Sequence, residues 1–172
     1  MILKALAVAP GVIVHELGHL LLCRLSGVEV RQVVLFRIGS PAGFVAHAAP
    51  RLLRQHLAIS SGPLLVSTSL ALLLFCLVGK LASQRPGPWW PVAALLALWL
   101  GWSIALEAWP SCGDAQALRR SAARQLRAWH LGAGLAWLVA CLLLAANAAR
   151  RLRGHWGYAA LLALAAYQAT MT

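Results

Sequence analysis

Four long apolar segments constrain this chain more than any other feature of its sequence. They cover residues 5–23, 57–78, 89–109 and 129–149, and a helix needs about 20 mostly apolar residues to cross the hydrocarbon core of a bilayer. A fifth segment, residues 156–171, is slightly short, so we expect it either to span a thin region or to lie partly buried against its neighbours. We therefore predict an all-α polytopic membrane protein with four to five transmembrane helices.

Composition excludes the main competing classes of protein. Hydrophobic residues make up 61% of the chain and the mean hydropathy is +0.75, which is more than a water-soluble core can use. The net charge of +11 arises because acids are scarce, with 4 Asp and Glu against 15 Lys and Arg. We therefore expect lipid headgroups, and not nucleic acid, as the partners of the basic residues. The four cysteines show no paired spacing that would indicate a disulfide framework or a zinc ribbon.

The basic residues between the apolar segments predict an orientation. With five spans, nine lie on one side and six on the other, so the side with nine is predicted to be cytoplasmic. The nine are Arg24, Arg31, Arg37, Arg51, Arg54, Arg119, Arg120, Arg124 and Arg127, and the six are Lys4, Lys80, Arg85, Arg150, Arg151 and Arg153. Tryptophans stand at segment ends, where amphipathic rings favour the interface, at Trp89, Trp90, Trp109, Trp129 and Trp156.

Two stretches between the spans carry a different pattern. Residues 28–38 are rich in β-branched and aromatic types, and a Gly-Ser-Pro break separates them from a second short run at 43–48. This pattern predicts a β-hairpin over residues 28–48, located at the interface or against protein, because a bare sheet edge cannot face lipid. Residues 111–128 predict a basic interfacial helix.

The sequence His15-Glu16-Leu17-Gly18-His19 lies inside the first span and matches the HExxH pattern. On a helix, His15 and His19 project from nearly the same face one turn apart, so both can bind a single zinc ion. Glu16 is then placed to act as a general base on a zinc-activated water. Three ionisable residues in one span are costly unless a partner compensates them, and a metal ion is such a partner.

A catalytic zinc site commonly takes three protein ligands, so a third is needed. Asp114, the one aspartate of the chain, is the ligand that we favour. Ser111 and Asp114 also have the spacing of a capping box, which would explain the aspartate without a metal. Cys112, Glu107 and His47 are the competing ligands, and Cys23, one turn beyond His19, is expected to serve in packing.

The order of these motifs resembles the site-two protease family of intramembrane zinc metalloproteases. In that family a β-hairpin follows the HExxH helix, the next helix opens with a Gly-Pro motif, and a third ends in an N-x-x-P segment followed by the aspartate ligand. The similar features here are the HExxH motif, the hairpin, Ser61-Gly62-Pro63 opening the second span, and Glu107-Ala108-Trp109-Pro110 before Asp114. The resemblance covers residues 12–115.

The chain also departs from the family pattern. Val66 occupies the place of an Asn in the second motif, Glu107 replaces the Asn of N-x-x-P, and Ala115 replaces a Gly after the aspartate. We interpret these departures as the mark of a compact, divergent member. Glu107 is expected either to extend its carboxylate to the interface or to hydrogen-bond a ligating histidine.

The resulting hypothesis is an intramembrane zinc metalloendopeptidase that hydrolyses transmembrane or membrane-proximal segments of protein substrates. Residues 1–115 would form its core, and residues 116–172 would add the basic helix and one or two C-terminal spans. We expect an integral protein of the cell (inner) membrane with its active site toward the cytoplasm. Two alternatives remain open at this stage: a non-catalytic membrane scaffold or regulator with a structural metal site, and a metal carrier.

Overall fold

The chain is mostly helical, with one small sheet, in a computed structural model that describes residues 2–126 and 132–171. In chain order the elements are α1 (Ile2–Leu25), β1 (Val30–Val34), β2 (Phe44–His47), α2 (Leu53–Gln84), α3 (Trp90–Leu106), α4 (Cys112–Leu126), α5 (Gly132–Arg151) and α6 (Gly154–Met171). The predicted helical class and the hairpin between the first two helices are confirmed. Arg127 and Trp129, which figured in the predicted basic helix and fourth span, lie outside the described residues.

Three helices of the described chain are long and apolar enough to cross a membrane. These spans are Ala5–Leu25, Leu53–Gln84 and Gly132–Arg150. Helix α3 is apolar but has only 17 residues, and α6 is not among the three. Only 17% of the most apolar window of α2 is buried inside the protein, as expected for a helix whose outer faces contact lipid.

Helix α3 is shorter than the apolar segment that predicted it. Apolar residues continue to Trp109, but the helix ends at Leu106. Pro110 has no N–H to donate to the carbonyl of Leu106 and disfavours helical geometry in the residue before it, so the helix stops one turn early.

Helix α2 is the centre of the fold and contacts each of the other five helices described. Its 32 residues extend about 48 Å at 1.5 Å per residue, well beyond the hydrocarbon thickness of about 30 Å. The half that contains Ala71 and Phe75 packs against α3 and α6. The half that contains Leu53, Leu57 and Leu64 packs against α4 and α5. Helices α3 and α5 therefore occupy different heights along α2.

The end of α5 lies beside the end of α3. The guanidinium of Arg150 contacts the carboxylate of Glu107 at 2.6 Å, and the amide of Asn147 donates to the carbonyl of Pro110 at 2.7 Å. The count of basic residues on each side of the membrane grouped Arg150 with Lys80, on the side opposite to the connection between α3 and α4. That placement of Arg150 is wrong, because α5 packs along the half of α2 that α3 leaves uncovered and ends level with the end of α3.

The hairpin packs on α1 through both of its strands. Strands β1 and β2 are antiparallel, with Val33 opposite Val45 and Val34 opposite Phe44, and an irregularity lies between Val30 and Gln32. Helix α4 confirms the predicted basic helix over its described length, with exposed arginines at Arg119, Arg120 and Arg124. Whether that helix lies at a membrane surface stays a prediction.

Candidate metal centre

The HExxH motif lies on the buried side of α1. His15, Glu16 and His19 are exposed by only 9%, 8% and 7%. The centroids of the two imidazole rings are 5.0 Å apart, and the rings meet edge to face. One helical turn thus brings both rings to one face, as the spacing predicts.

Glycines allow α1 to pack very closely against α2 at the motif. A Cβ atom added to Gly18 would lie 2.9 Å from Cα of Pro63, and one added to Gly62 would lie 2.8 Å from Cγ of Leu22. A side chain at Gly18 would meet the backbone of α2 and push the helices apart, and one at Gly62 would require the Leu22 side chain to shift. The Gly-Pro segment of α2 therefore sets how near the histidines come to that helix.

Pro63 also creates a hydrogen-bond acceptor for His19. A proline inside a helix cannot donate to the carbonyl four residues before it, which here is that of Ile59. The Nδ1 atom of His19 lies 3.0 Å from this carbonyl oxygen. The sequence comparison placed the Gly-Pro motif at the start of the second span, but α2 begins at Leu53, ten residues earlier, so this position for the motif is wrong. Its interior location is what frees the carbonyl.

A second helix irregularity provides the acceptor for His15. The last carbonyls of a helix have no partner within it, and the carbonyl of Glu107, the C-cap of α3, lies 2.7 Å from Nδ1 of His15. Because a carbonyl only accepts, the Nδ1 atom of each histidine must carry the hydrogen. Both Nε2 atoms are then free of hydrogen and can bind a metal ion.

Asp114 joins the two histidines from the first turn of α4. Its Oδ2 atom lies 3.3 Å from Nε2 of His19, and ligand atoms of His15, His19 and Asp114 all lie within 4.8 Å of one another. Ligand atoms in a tetrahedral zinc site are about 3.4 Å apart when the bonds are about 2.1 Å. The separation of the His19 and Asp114 atoms is close to this value, so the residues present fit a zinc ion.

Ser111 holds the aspartate in place. Its hydroxyl donates to Oδ2 of Asp114 at 2.5 Å and accepts from the backbone N–H of the same residue at 3.1 Å. Burial on its own would raise the pKa of Asp114, but the adjacent His19 imidazole and the hydrogen bond from Ser111 outweigh it and hold the pKa below its ordinary value. The helix-capping interpretation and the ligand interpretation therefore describe one arrangement, in which the cap aims the carboxylate at the histidines.

The competing ligands lie outside this group in the described part of the chain. Cys112 is exposed and contacts Gln116, and Cys23 is fully buried against Val28 and Ile59, which agrees with its expected packing role. His47 lines the same cavity as the three ligands, but its Nδ1 contacts the carbonyl of Ala48 at 2.8 Å.

The carboxylate of Glu107 has neither of the two roles considered for it. The backbone carbonyl of Glu107, and not its carboxylate, is the partner of His15. The carboxylate pairs with Arg150 and does not extend alone to the interface.

Two adjoining cavities open beside the catalytic candidate Glu16. One, of about 250 Å³, is lined by all three candidate ligands and by residues of β2, and the other, of about 170 Å³, is lined by Glu107 and Arg150. Both are lined by His15, Glu16, Gly43 and Ser111. A Cβ atom on Gly43 would lie 2.8 Å from Cγ of Glu16, so the start of β2 passes directly over the carboxylate side chain.

The sequence analysis missed two residues of α5. Asn147 holds the Pro110 carbonyl, in the connection that carries Asp114, and Arg150 lines the smaller cavity. An amide in an otherwise apolar helix was the available signal for Asn147, since such a group needs a partner inside the protein. Arg150 gave no such signal, because a basic residue at a helix end is also what an interfacial anchor looks like.

The chain has no match among models of protein families, curated proteins or solved structures. The chemistry of the site is therefore argued from its residues.

Proposed function

We propose that this protein is an intramembrane zinc metalloendopeptidase similar to the site-two proteases. The observation that supports the proposal most strongly is the meeting of His15, His19 and Asp114 from two separate helices, with Glu16 on the wall of the adjoining cavities. This donor set of two imidazole nitrogens and one carboxylate oxygen is typical of a catalytic zinc site, where a fourth position stays open for water.

The residues have distinct tasks in the proposed reaction. His15, His19 and Asp114 would hold the zinc ion, which when bound would lower the pKa of a water molecule to about 7. Glu16 accepts a proton from the attacking water and returns it to the leaving amine when the C–N bond breaks. Burial of Glu16 beside the ligands keeps its carboxylate within a site of restricted water access.

The substrate of this proposal is a transmembrane or membrane-proximal segment that has left its helical form. Helical hydrogen bonds shield peptide carbonyls, so the segment must be extended before attack. Strand β2 contributes Phe44, Val45 and His47 to the larger cavity, Gly43 precedes it there, and the strand pairs with β1 alone among the described residues. Its other edge can hold the segment by strand addition.

Proline substitutions test this clamp. Successive N–H groups of a strand point to opposite edges, so of Phe44→Pro and Val45→Pro one removes an N–H from the open edge. That variant should lose cleavage of a reconstituted transmembrane peptide and retain its zinc. Full cleavage by both variants rejects the clamp.

Metal analysis joined to a cleavage assay tests the function itself. The purified protein should contain one zinc ion, which His15→Ala, His19→Ala and Asp114→Ala each lose. Glu16→Gln should keep the zinc and lose hydrolysis of the peptide, because it retains the ligands and removes the base. Retained zinc in Asp114→Ala would move the third ligand elsewhere. Zinc binding with function in cells unchanged by Glu16→Gln would favour a non-catalytic scaffold, and zinc flux in proteoliposomes would favour a carrier.

The proposed location is the cell (inner) membrane, with four to five transmembrane helices and the site toward the cytoplasm. The exposed arginines of α4, Arg119, Arg120 and Arg124, support this orientation, because basic residues favour the cytoplasmic side. An epitope inserted at Gly87, between α2 and α3, should then be protected in inside-out vesicles. Antibody access there would contradict the orientation.

A further inference from the structure

Arg150 places a guanidinium in the smaller of the two cavities beside Glu16. It stands at the end of α5, its Nη2 lies 2.6 Å from Oε2 of Glu107, and its side chain is 33% exposed. The same cavity is lined by His15, Glu16 and Ser111. A cation held by a neighbouring carboxylate therefore faces the space in which a substrate carbonyl would meet the base.

Peptide hydrolysis develops a negative charge that this guanidinium can stabilise. When the oxygen of water bonds to the carbonyl carbon, the π electron pair moves to the carbonyl oxygen, which becomes an oxyanion. The pair returns when the C–N bond breaks, and the amine leaves with the proton that Glu16 held. Donors aimed at the oxyanion lower the barrier strongly in a site from which water is excluded.

Arg150 has N–H groups that the ion pair with Glu107 leaves free to donate. A guanidinium carries five N–H groups in a rigid fork, and the ion pair with Glu107 uses the Nη2 end. The pairing also removes conformational freedom from a long side chain before substrate arrives, so less ordering remains to be done on binding.

We propose that Arg150 is a further catalytic residue, whose guanidinium donates to the carbonyl oxygen of the scissile peptide and to the oxyanion formed from it. The proposal rests on the proposed peptidase function. Glu107 positions Arg150 through its carboxylate. The backbone carbonyl of Glu107 also orients His15.

Binding of two zinc-directed inhibitors to the purified, zinc-loaded protein separates this role from a structural one. A phosphinic peptide presents a tetrahedral anion like the oxyanion, whereas a peptidyl hydroxamate chelates the metal through two oxygens of a planar group and does not mimic the tetrahedral oxyanion. In Arg150→Met, calorimetry should show phosphinate affinity falling by on the order of 100-fold, the size of effect seen when one oxyanion donor is removed. Hydroxamate affinity and zinc content should stay as in the wild type.

Variants of Glu107 provide the matched control. Glu107→Gln keeps an acceptor for the guanidinium and should weaken phosphinate binding less than Arg150→Met does. The double variant removes the ion pair without leaving an unpaired charge. If Arg150 acts only through the ion pair, the double variant should recover affinity; if it contacts the oxyanion, the double variant should be as weak as Arg150→Met.

Several outcomes would overturn the proposal. In Arg150→Met, an equal fall in affinity for both inhibitors would do so, as would recovery of phosphinate affinity in the double variant. A wild type that binds the hydroxamate but not the phosphinate would also contradict it. So would a loss of phosphinate affinity in His47→Gln that Arg150→Met does not show. Absence of zinc from the wild type, or cleavage that survives Glu16→Gln, would instead overturn the peptidase function. The two failures are therefore distinguishable.

Discussion

Replacing Pro63 with alanine should strengthen α2 and weaken the metal centre. Alanine supplies the N–H that proline lacks, and this N–H will bond the carbonyl of Ile59 within the helix. That carbonyl is the partner of Nδ1 of His19 at 3.0 Å. The variant therefore introduces a local competitor for the group that orients one ligand.

The free energy of unfolding should rise in this variant, whereas the zinc affinity should fall. Proline in a helix interior costs about 3 kcal/mol relative to alanine. Pro63 is fully buried, and loss of two ring methylenes costs about 1.6 kcal/mol at about 0.8 kcal/mol each. The apoprotein should thus gain about 1 kcal/mol in free energy of unfolding. Zinc affinity should fall about 10- to 100-fold, the usual cost of losing the partner of a ligating histidine.

Chelator competition and thermal unfolding in detergent measure the two effects on the same samples. Pro91→Ala is the matched control, because Pro91 is exposed in the first turn of α3, where no helical hydrogen bond is lost to proline. It should change neither quantity appreciably. Unchanged zinc affinity in Pro63→Ala, with the control equally unchanged, would refute the idea that the freed carbonyl orients His19.

Three further predictions concern the same site. Gly18→Ala should destabilise the protein by about 1–3 kcal/mol and release zinc, because its Cβ meets the Pro63 backbone, whereas Gly134→Ala in open space on α5 should be neutral or slightly stabilising in thermal unfolding. Ser111→Ala should lower stability by about 1 kcal/mol through loss of the cap and should lower zinc affinity in a chelator titration; unchanged affinity would show that Ser111 does not aim Asp114. Zinc at 100 times its Kd should raise wild-type stability by about 2.7 kcal/mol and leave Asp114→Asn unshifted, and an equal rise in both would remove Asp114 from the ligand set.

The elements of the fold could be predicted from the sequence better than their arrangement. Apolar length, basic residues and β-branched composition indicated the described helices and the hairpin, because these signals are local. The height of α5 along α2 could not be predicted, since it depends on which half of a 32-residue helix is left uncovered by α3 and α6. The assignment of successive connections to alternate sides of five spans consequently placed Arg150 away from the connection between α3 and α4.

In the candidate site, too, one part could be predicted from the sequence and another could not. The histidine spacing requires one helical face, and the single aspartate left few choices, so the group could be predicted from residue types. The partners of the histidines could not, because they are backbone carbonyls of Ile59 and Glu107 and leave no trace in side-chain chemistry. The prolines at 63 and 110 were the visible signs, yet both were interpreted only as parts of motifs.

The use of main-chain oxygens to orient both imidazoles has a consequence for how the protein tolerates change. An alanine scan of positions 59 and 107 would leave both acceptors standing, so the scan would miss the groups that hold the rings. What must be kept is the proline that frees a carbonyl inside α2 and the end of α3 at position 107, whatever side chains stand at positions 59 and 107. A chain built this way can drift far in sequence around the candidate site and still keep the orientation of both imidazoles.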